Sequence, residues 1–559
     1  MTAITASYRE RCLENLNAAS FDLIIIGGGI TGAGIAWDAS LKGIKVLLLE
    51  QSDFASGTSS KSTKLIHGGL RYLKQFQFQQ VFEVGRERAI VHSIARFLVR
   101  PEKMLLPIYS GGSLSRISAY LALWLYDFLA GVKPADAFRF LGPIESSLKE
   151  PLLPKKGLLG AFLYSEYQTD DYRLTWALLQ SAIEKGAICL PYCQVMNLLR
   201  EKGKHLSGLT FRDTLTGKVH QVNSSAIVNA AGPWVPDMLA MDAYPAKKHL
   251  LLSKGTHIVV PHHYLPLKQA IYFDDFSKSR MLFAIPRWET TYIGTTDIVY
   301  AEPIHLLGSS KEEVDYILLA VNAFFSITGL QSKDIISSWV GLRPLVYEVG
   351  KLSTDISRKD EIMVSPSGLL TIAGGKLTGF RKMAEKSLKV LVNLQKGKKP
   401  FQGNKTKTHR VPLAGNSFET AQDLENYVLS CQESFRVLQI NPALAERYVR
   451  RYGDRLNQIL DDLDWSLQPE DALLSAEIRY GIHREMVLFP TDFIQRQTGM
   501  VWYEKNRCLE KKNLIFDVFT KEMQWDEKTR QKQEALWAAF LPTVTSFHNN
   551  EINDTGLSA

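Results

Sequence analysis

The sequence predicts an α/β protein with a dinucleotide-binding β-α-β unit, an antiparallel β-sheet region and a helical C-terminal region. The apolar run at residues 21–26 is short and rich in isoleucine, as in a strand buried in a parallel sheet. A glycine-rich turn at 27–32 follows, and residues 33–42 read as a helix. A second apolar strand, 45–49, ends at Glu50. Strand, turn, helix, strand and acid therefore occur in the order of a dinucleotide-binding unit.

Each glycine of the turn pattern G-x-G-x-x-G has a physical role in such a unit. Gly27 permits the tight turn, Gly29 lets the backbone approach a pyrophosphate, and Gly32 lets the helix pack closely on the strand. The helix N-terminus faces the anionic phosphates, and Glu50 can accept hydrogen bonds from a ribose. The sequence therefore predicts an adenine dinucleotide site, and the acid favours FAD or NAD over NADP.

Length, cysteine content and charge limit the class of protein. At 559 residues the chain has room for about three domains. Its five cysteines form no CxxC pair and no metal-spaced set, so we expect neither a disulfide framework nor a metal centre. Residues 401–559 carry 19 basic and 23 acidic side chains, and this balance argues against nucleic-acid binding there. Residues 1–20 read as a short helix without the apolar segment of a secretory signal.

The segment after Glu50, residues 51–72, is rich in hydroxyl groups, glycine and positive charge. This composition is typical of a loop that surrounds a polar ligand with backbone and hydroxyl donors. A solvated linker would have a similar composition. The position directly after the ribose acid favours ligand contact.

Two stretches of the sequence resemble a known family. G-G-G-I-T-G-A-G-I-A at 27–36 is shared by many flavoproteins, whereas S-S-K-S-T-K-L-I-H-G-G-L-R-Y at 59–72 is similar to the FAD-dependent, quinone-linked glycerol-3-phosphate dehydrogenases. The similarity runs from about residue 15 to 535. It implies FAD as the cofactor and an FAD-binding Rossmann-like domain of the glutathione-reductase/D-amino-acid-oxidase type.

The resemblance also implies where FAD lies. A strand that we expect to end near Val195 is similar to the one whose backbone contacts the adenine, and the A-G-P-W turn at 231–234 is similar to one that closes on FAD. The strand and glycine turn at 368–378 would direct a helix N-terminus at the flavin, where amide groups favour negative charge. The cofactor-binding residues predicted in all are Gly27, Gly29, Gly32, Glu50, Ser59, Ser60, Gly68, Gly69, Val195, Ala231, Gly232, Gly374, Gly375, Leu377 and Thr378.

A phosphorylated substrate requires cations, and arginine is suited to phosphate because its planar fork donates two hydrogen bonds. Oxidation of a secondary alcohol also requires a base for the hydroxyl proton, and an imidazole with a pKa near ~6.5 is suited to that role. The candidate base is His257. By resemblance, the catalytic residues are His257, Arg343 and Lys376, and the substrate-binding residues are Arg71, Tyr72, Arg358 and His67.

Residues 73–140 are predicted to be helical and amphipathic, with basic side chains around apolar faces. The aromatic stretch 117–126 is shorter than the ~20 residues that span a bilayer. Its periodicity fits a core helix and a helix in the membrane interface equally well, since both bury one apolar face. The resemblance favours the membrane, and it predicts a cytoplasmic protein attached peripherally to the inner face of the membrane.

Three domains are predicted: a discontinuous FAD-binding domain, a substrate and membrane-proximal domain containing antiparallel strands between 245 and 345, and a helical C-terminal domain. The C-terminal domain shows no catalytic cluster, so we expect a structural cap or the oligomerisation domain of a homodimer. The predicted ranges are 15–100, 160–245 and 340–400 for the FAD-binding domain, 101–159 and 246–339 for the substrate domain, and 405–545 for the helical domain.

The reaction implied by the resemblance is oxidation of sn-glycerol 3-phosphate to dihydroxyacetone phosphate, with electrons passed through FAD to a membrane quinone. A glycerol-3-phosphate oxidase would return the electrons to oxygen, but the extra insertion typical of the family's oxidases is not found in this sequence. An amine or amino-acid oxidase is disfavoured by the predicted cations. A non-catalytic flavin-binding, membrane-associated protein is the alternative from another functional class.

Overall fold

The structure is a computed structural model that describes residues 6–16, 20–67, 78–130, 132, 137–201, 205–224, 226–244, 248–275, 277, 280–325, 329–348, 360–395, 407–545 and 547. Its β-strands are β1 (Leu23–Ile26), β2 (Val46–Leu49), β3 (Leu65–Ile66), β4 (Arg100–Tyr109), β5 (Arg139–Leu141), β6 (Leu158–Gln168), β7 (Ile188–Leu190), β8 (Cys193–Glu201), β9 (His205–Asp213), β10 (Val219–Asn223), β11 (Ile227–Asn229), β12 (Lys248–Pro261), β13 (Ala270–Asp274), β14 (Met281–Arg287), β15 (Thr290–Gly294), β16 (Ile298–Tyr300), β17 (Ser337–Glu348), β18 (Asp360–Val364) and β19 (Leu370–Gly374).

The α-helices precede, connect and follow these strands. They are α1 (Ala6–Asn15), α2 (Ile30–Leu41), α3 (Phe78–Ile94), α4 (Arg116–Ala130), α5 (Pro143–Lys149), α6 (Asp171–Ile183), α7 (Val235–Met241), α8 (Lys311–Phe324), α9 (Phe380–Leu394), α10 (Ala421–Val437), α11 (Leu444–Tyr452), α12 (Leu456–Leu460), α13 (Pro469–Arg484), α14 (Pro490–Asp492), α15 (Met500–Tyr503), α16 (Lys505–Glu510), α17 (Lys512–Glu522) and α18 (Glu527–Thr543).

A mainly parallel sheet contains the dinucleotide-binding unit. Its strand order is β18-β19-β11-β1-β2-β7, and every pair is parallel except β18 with β19. Leu23 and Ile25 of β1 pack in the layer that contains α2, α6 and α9, whereas Ile24 and Ile26 pack with the small sheet β10-β9-β8. Because both faces are covered, β1 is apolar throughout, and the predicted buried parallel strand is confirmed.

A larger, mainly antiparallel sheet forms the second layer system. Its order is β16-β12-β15-β14-β13-β4-β6-β3, with β17 paired to β12 and β5 paired to β6. The pair β13 and β4 is parallel, and the antiparallel strands predicted between 245 and 345 are present. Helix α8 packs with an apolar cluster on this sheet that includes Ile258, Val260 and Phe273.

The prediction that residues 73–140 are helical is wrong for two segments, β4 and β5. Residues 104–108 of β4 form a buried apolar strand between β6 and β13. Pro101 and Pro107 lack the N–H groups that a helix interior needs, so they oppose a continuous helix through this stretch. The helices α3 and α4 lie within the predicted helical region.

The strand that we expected to end near Val195 instead begins there. β7 ends at Leu190, the chain turns through Tyr192 with φ of +59°, and β8 runs from Cys193 to Glu201. The register of β8 against β9 is irregular between Val195 and Asn197. The two residues between β7 and β8 form a tight turn, and the sequence pattern alone did not reveal that two strands meet there.

Strand pairing crosses two of the predicted domain boundaries. β6 extends across the boundary at 160 and pairs with β4 along its length, and β17 extends across the boundary at 340 and pairs with β12. Both strands belong to the large sheet. The division into three domains stays a prediction.

The C-terminal region is helical, as predicted, with a π-helical turn at Phe493–Gln497. Its side chains Phe493 and Trp502 pack in one apolar cluster with Tyr292 and Trp339 of the large sheet. Its helices also contribute to the core that contains α2 and α6. The C-terminal domain therefore contacts both sheet systems. Within the described ranges, no helix is long and apolar enough to cross a bilayer.

Candidate active site

The turn after β1 brings backbone N–H groups to one end of the parallel sheet. Gly27 has φ of +109°, and a Cβ atom on Gly32 would lie 1.9 Å from the carbonyl oxygen of Gly27. Gly29 is the N-cap residue of α2, and the next N–H group, that of Ile30, donates to the Ser59 hydroxyl at 2.9 Å. Helix α2 can begin this close to the strand only because position 32 has no side chain.

Glu50 follows β2 and is buried beside the turn. Its carboxylate accepts hydrogen bonds from the N–H of Gly28 at 2.7 Å and the N–H of Ser52 at 3.0 Å. Burial raises the pKa of Glu50 to about 7, with a further contribution from the charge of Asp53. The carboxylate is thus held at the turn and retains acceptor capacity for ribose hydroxyl groups, as an FAD site requires.

A cavity of about 1240 Å³ extends from this turn to the large sheet. Besides the turn after β1, its wall includes segments that follow three other strands of the parallel sheet, β7, β11 and β19. The predicted site residues that line it are Gly27, Gly29, Glu50, Ser59, His67, Val195, Ala231, Gly232, His257, Arg343, Gly374, Gly375, Lys376, Leu377 and Thr378.

Some predicted site residues do not line the cavity or lie outside the described ranges. Gly32 is packed against Gly27 behind the wall. The Ser60 side chain is buried, and its carbonyl oxygen accepts a hydrogen bond from Lys64 Nζ at 3.1 Å. Gly68, Gly69, Arg71, Tyr72 and Arg358 lie outside the described residues.

His257 projects from β12 and is almost fully buried, with 1 % of its surface exposed. Its Nε2 atom lies 3.0 Å from the Thr63 hydroxyl, and its ring stacks on Trp339 with 4.9 Å between centroids. The Nδ1 atom has no hydrogen-bond partner among the described residues. Burial, and then the charges of Arg343 and Lys64, hold the pKa of His257 well below its usual value. The ring is therefore neutral at pH 7, with a lone pair on one of its nitrogens.

Two cationic side chains, Arg343 and Lys376, line the cavity. Arg343 Nη2 donates to the Thr295 hydroxyl at 3.0 Å, and Asp297 lies 3.5 Å from Arg343 Nη1. The guanidinium passes over Gly255, where a Cβ atom would lie 2.5 Å from Nη2. Lys376 caps the short helical turn that begins at Leu377. Arg343 provides positive charge next to His257, and Lys376 adds a second cation to the cavity wall, as binding of an anionic substrate requires.

Sequence reasoning did not assign roles to Thr63 or Trp339, the two neighbours of the His257 ring. Thr63 lies in the 59–72 stretch, which the sequence assigned to the site, but no sequence pattern indicated that its partner would be His257. The cavity also has an apolar part, lined by Leu106, Leu114, Leu121, Leu125, Tyr272 and Phe283. Leu121 and Leu125 belong to α4, the helix for which a core position and a membrane position had been equally consistent.

Comparisons with known proteins agree with this geometry. The sequence matches the family model described as FAD dependent oxidoreductase over residues 22–380, and the model for the C-terminal domain of alpha-glycerophosphate oxidase over 406–530. It is 43 % identical to the aerobic glycerol-3-phosphate dehydrogenase of Bacillus subtilis over 532 residues, which cover 94 % of this chain and 95 % of the relative.

A second relative and a solved structure show the same similarity. The aerobic glycerol-3-phosphate dehydrogenase of Staphylococcus haemolyticus is 39 % identical over 95 % of this chain and 96 % of its own. The structure of the glycerol-3-phosphate dehydrogenase from Bacillus halodurans complexed with FAD has a TM-score of 0.82 and 35 % identity. The match covers 98 % of this chain and 99 % of that one.

Proposed function

Because this chain belongs to the FAD-dependent oxidoreductases, and among them to the glycerol-3-phosphate dehydrogenases, we propose that it oxidises sn-glycerol 3-phosphate to dihydroxyacetone phosphate and passes the electrons to a membrane quinone. The observation that carries the proposal is a cavity that joins the dinucleotide turn to His257, Arg343 and Lys376. At about 1240 Å³ it exceeds the ~300–1,000 Å³ of an ordinary small-ligand pocket, which supports joint occupancy by cofactor and substrate.

FAD, when bound, supplies the acceptor for the hydride that leaves C2 of the substrate, at the flavin N5 atom. The chain's own part at this end is to bind and orient the cofactor. The glycine turn leaves room for the pyrophosphate next to amide N–H groups, and Glu50 accepts hydrogen bonds from the ribose. The turns at 231–232 and 374–378 complete the wall.

The substrate phosphate is bound by cations at the other end of the cavity. Arg343 is suited to the role because its planar guanidinium lines the cavity beside Thr295, and Lys376, from the turn at 374–378, adds a second positive charge to the cavity wall. By resemblance, Arg71, Tyr72, Arg358 and His67 complete the pocket. An uncharged alcohol such as glycerol would lack this attraction.

His257 takes the proton from the C2 hydroxyl group. Nε2 shares a hydrogen bond with the Thr63 hydroxyl, and one of the two ring nitrogens of the neutral imidazole carries a lone pair that can take the proton. The depressed pKa keeps that lone pair free at neutral pH. Thr63 and the stacked Trp339 fix the ring orientation.

Helix α4 supports the proposed membrane attachment and quinone acceptor. Ile117, Trp124 and Phe128 are 73 %, 52 % and 71 % exposed, an unusual apolar surface for one helix. Leu121 of the same helix is also exposed and lines the apolar part of the cavity. A lipid-soluble acceptor could enter the cavity from the membrane along this helix. A homodimer and a position at the inner face of the membrane stay predictions.

The test is anaerobic addition of sn-glycerol 3-phosphate to the purified, FAD-loaded protein, followed by the flavin's visible absorption. We expect rapid bleaching, and faster recovery with a soluble quinone than with air. Glycerol at the same concentration is the control and should leave the spectrum unchanged. Absence of bleaching in folded, loaded protein would contradict the substrate, and recovery with air alone would indicate an oxidase.

A further inference from the structure

A buried polar cluster joins the C-terminal domain to the wall of the cofactor end of the cavity. Arg496 Nε donates to Asp53 Oδ2 at 2.5 Å, and the same guanidinium pairs with Asp492. The hydroxyl of Tyr192 donates to the other carboxylate oxygen of Asp492. The charged side chains of the cluster are only 5–9 % exposed, so water screens them little.

Two members of the cluster, Asp53 and Tyr192, belong to segments that form the cavity wall. Asp53 lies three residues beyond Glu50 in the same loop. The N–H of Tyr192 donates to the carbonyl of Ser52 at 2.9 Å, and the N–H of Cys193 donates to the carbonyl of Glu50 at 2.7 Å. Glu50 and Cys193 both line the cavity. Arg496 and Asp492 therefore hold the loop after β2 and the start of β8 at a fixed spacing.

The positive charge of Arg496 stabilises the buried carboxylates around it, in addition to the hydrogen bonds that it donates. Without it, Asp53 and Asp492 would be buried carboxylates that have lost their cation, an arrangement that costs far more than a missing neutral contact. The charge of Arg496 also opposes the rise in the pKa of Glu50, whereas Asp53 adds to that rise. Loss of Arg496 would thus disturb both the position and the ionisation of the ribose acid.

We propose that Arg496, acting with Asp492, is a positioning residue for the adenosine half of FAD, so that the C-terminal domain contributes to cofactor affinity. The adenosine half is indicated because the two segments joined by the cluster contain Glu50, the ribose acid, and Val195, the expected adenine contact. The inference rests on FAD binding at this site and is independent of the substrate's identity.

The test measures the dissociation constant of FAD for the apoprotein by quenching of flavin fluorescence, with no substrate present. Arg496→Met should raise this constant at least about tenfold, since a charge-assisted, buried interaction is lost. Arg496→Lys, which keeps the charge but not the fork, should recover part of the affinity.

The matched control is Arg173→Met. Arg173 forms two hydrogen bonds with Glu485, at 2.6 and 2.8 Å, and this buried pair also joins the C-terminal domain to the rest of the chain. Arg173 and Glu485 are not among the described residues that line the cavity. The control should melt at a lower temperature yet bind FAD within about twofold of the unaltered chain.

Two results would overturn the proposal: an unchanged dissociation constant in folded Arg496→Met, or an equal loss of affinity in the Arg173 control. If Arg496→Met does not fold, Tyr192→Phe tests the proposal instead, because it removes the hydroxyl that donates to Asp492 and leaves every charge in place. It should raise the dissociation constant about threefold, and an unchanged constant would reject the proposal. Because no substrate is added, failure of glycerol 3-phosphate oxidation would not affect either outcome.

Discussion

At the cofactor end of the cavity, one stretch, residues 27–59, provides the glycine turn, Glu50 and Ser59, and short turns after other strands complete the wall, whereas the proposed substrate-binding and catalytic groups His257, Arg343 and Lys376 come from separate strands and turns. The cofactor end consists of backbone N–H groups, glycines whose lack of a side chain leaves space for the ligand, and the carboxylate of Glu50. The substrate end relies on individual side chains held by long-range contacts such as Thr63 with His257.

The difference has a physical consequence. A backbone cradle is part of the β-α-β unit itself, so a change there alters how strand and helix pack and affects cofactor binding as a whole. A side chain at the substrate end can be replaced while the wall remains, so a change there should affect one step of the reaction. Substitutions at the two ends therefore distinguish loss of the cofactor from loss of a reaction step.

The largest effect is expected for Gly32→Ala. Its Cβ atom would lie 1.9 Å from the Gly27 carbonyl oxygen, so helix α2 must move away from β1 and the pyrophosphate cradle is lost. We expect protein without bound FAD, measured as the ratio of flavin to protein absorbance. Gly142→Ala is the control, since no atom lies within 4 Å of its added Cβ. Normal FAD content in Gly32→Ala would refute the backbone-cradle description.

His257→Asn should keep FAD but lose catalysis. Removal of the base should lower the rate constant of flavin reduction by about 10²–10⁴-fold in anaerobic stopped-flow measurements. The control, His262→Asn, changes a histidine just beyond β12 whose Nδ1 lies 3.3 Å from the Thr291 hydroxyl and which is not among the described cavity residues. A reduction rate for His257→Asn within threefold of the control would exclude His257 as the base.

The two ends should respond to pH differently. Glu50 has a pKa of about 7 in the cofactor-free chain, raised by burial, and its ionised form accepts ribose hydroxyl groups. Below about pH 7 the FAD dissociation constant should rise by up to about tenfold per pH unit, because binding must displace a proton. Flavin reduction in loaded enzyme should change less than FAD affinity between pH 8 and about 6.5, because burial holds the pKa of His257 below its usual value.

Glu50→Gln tests the origin of this pH dependence, since an amide does not titrate. It should bind FAD more weakly at pH 8 and lose the change in affinity between pH 8 and 6. A dependence that persists in Glu50→Gln would assign the titration to another group.

The smallest effect is expected on α4, which lies outside both ends. Trp124→Ser with Phe128→Ser should weaken sedimentation with anionic vesicles by about fivefold to tenfold, because two exposed apolar side chains no longer enter the interface. Leu429→Ser with Val437→Ser is the control, since these side chains of α10 are similarly exposed, at 61 % and 74 %. Equal weakening in both pairs would indicate nonspecific adsorption. Reduction by glycerol 3-phosphate should be unchanged.

Local sequence determined the cofactor end. The spacing of Gly27, Gly29, Gly32 and Glu50 predicted a strand, turn, helix and strand, and β1, α2 and β2 follow that order. The reason is that a β-α-β unit requires particular residues within about 30 positions, and their effects on backbone geometry are short-range. The helical C-terminal region was predictable for the same reason, from periodicity within single helices.

Other features depended on contacts that no local pattern contains. Pro101 and Pro107 signalled that 100–109 is not helical, but the partners β6 and β13 are set by the sheet. The burial of His257 against Thr63 and Trp339, and the attachment of Arg496 to Asp53, each join residues more than 80 positions apart. The sequence by itself therefore determined the cofactor-binding unit and the residue types available for chemistry. Only the tertiary structure decided which of them meet, because burial, charge and orientation arise from packing between distant segments.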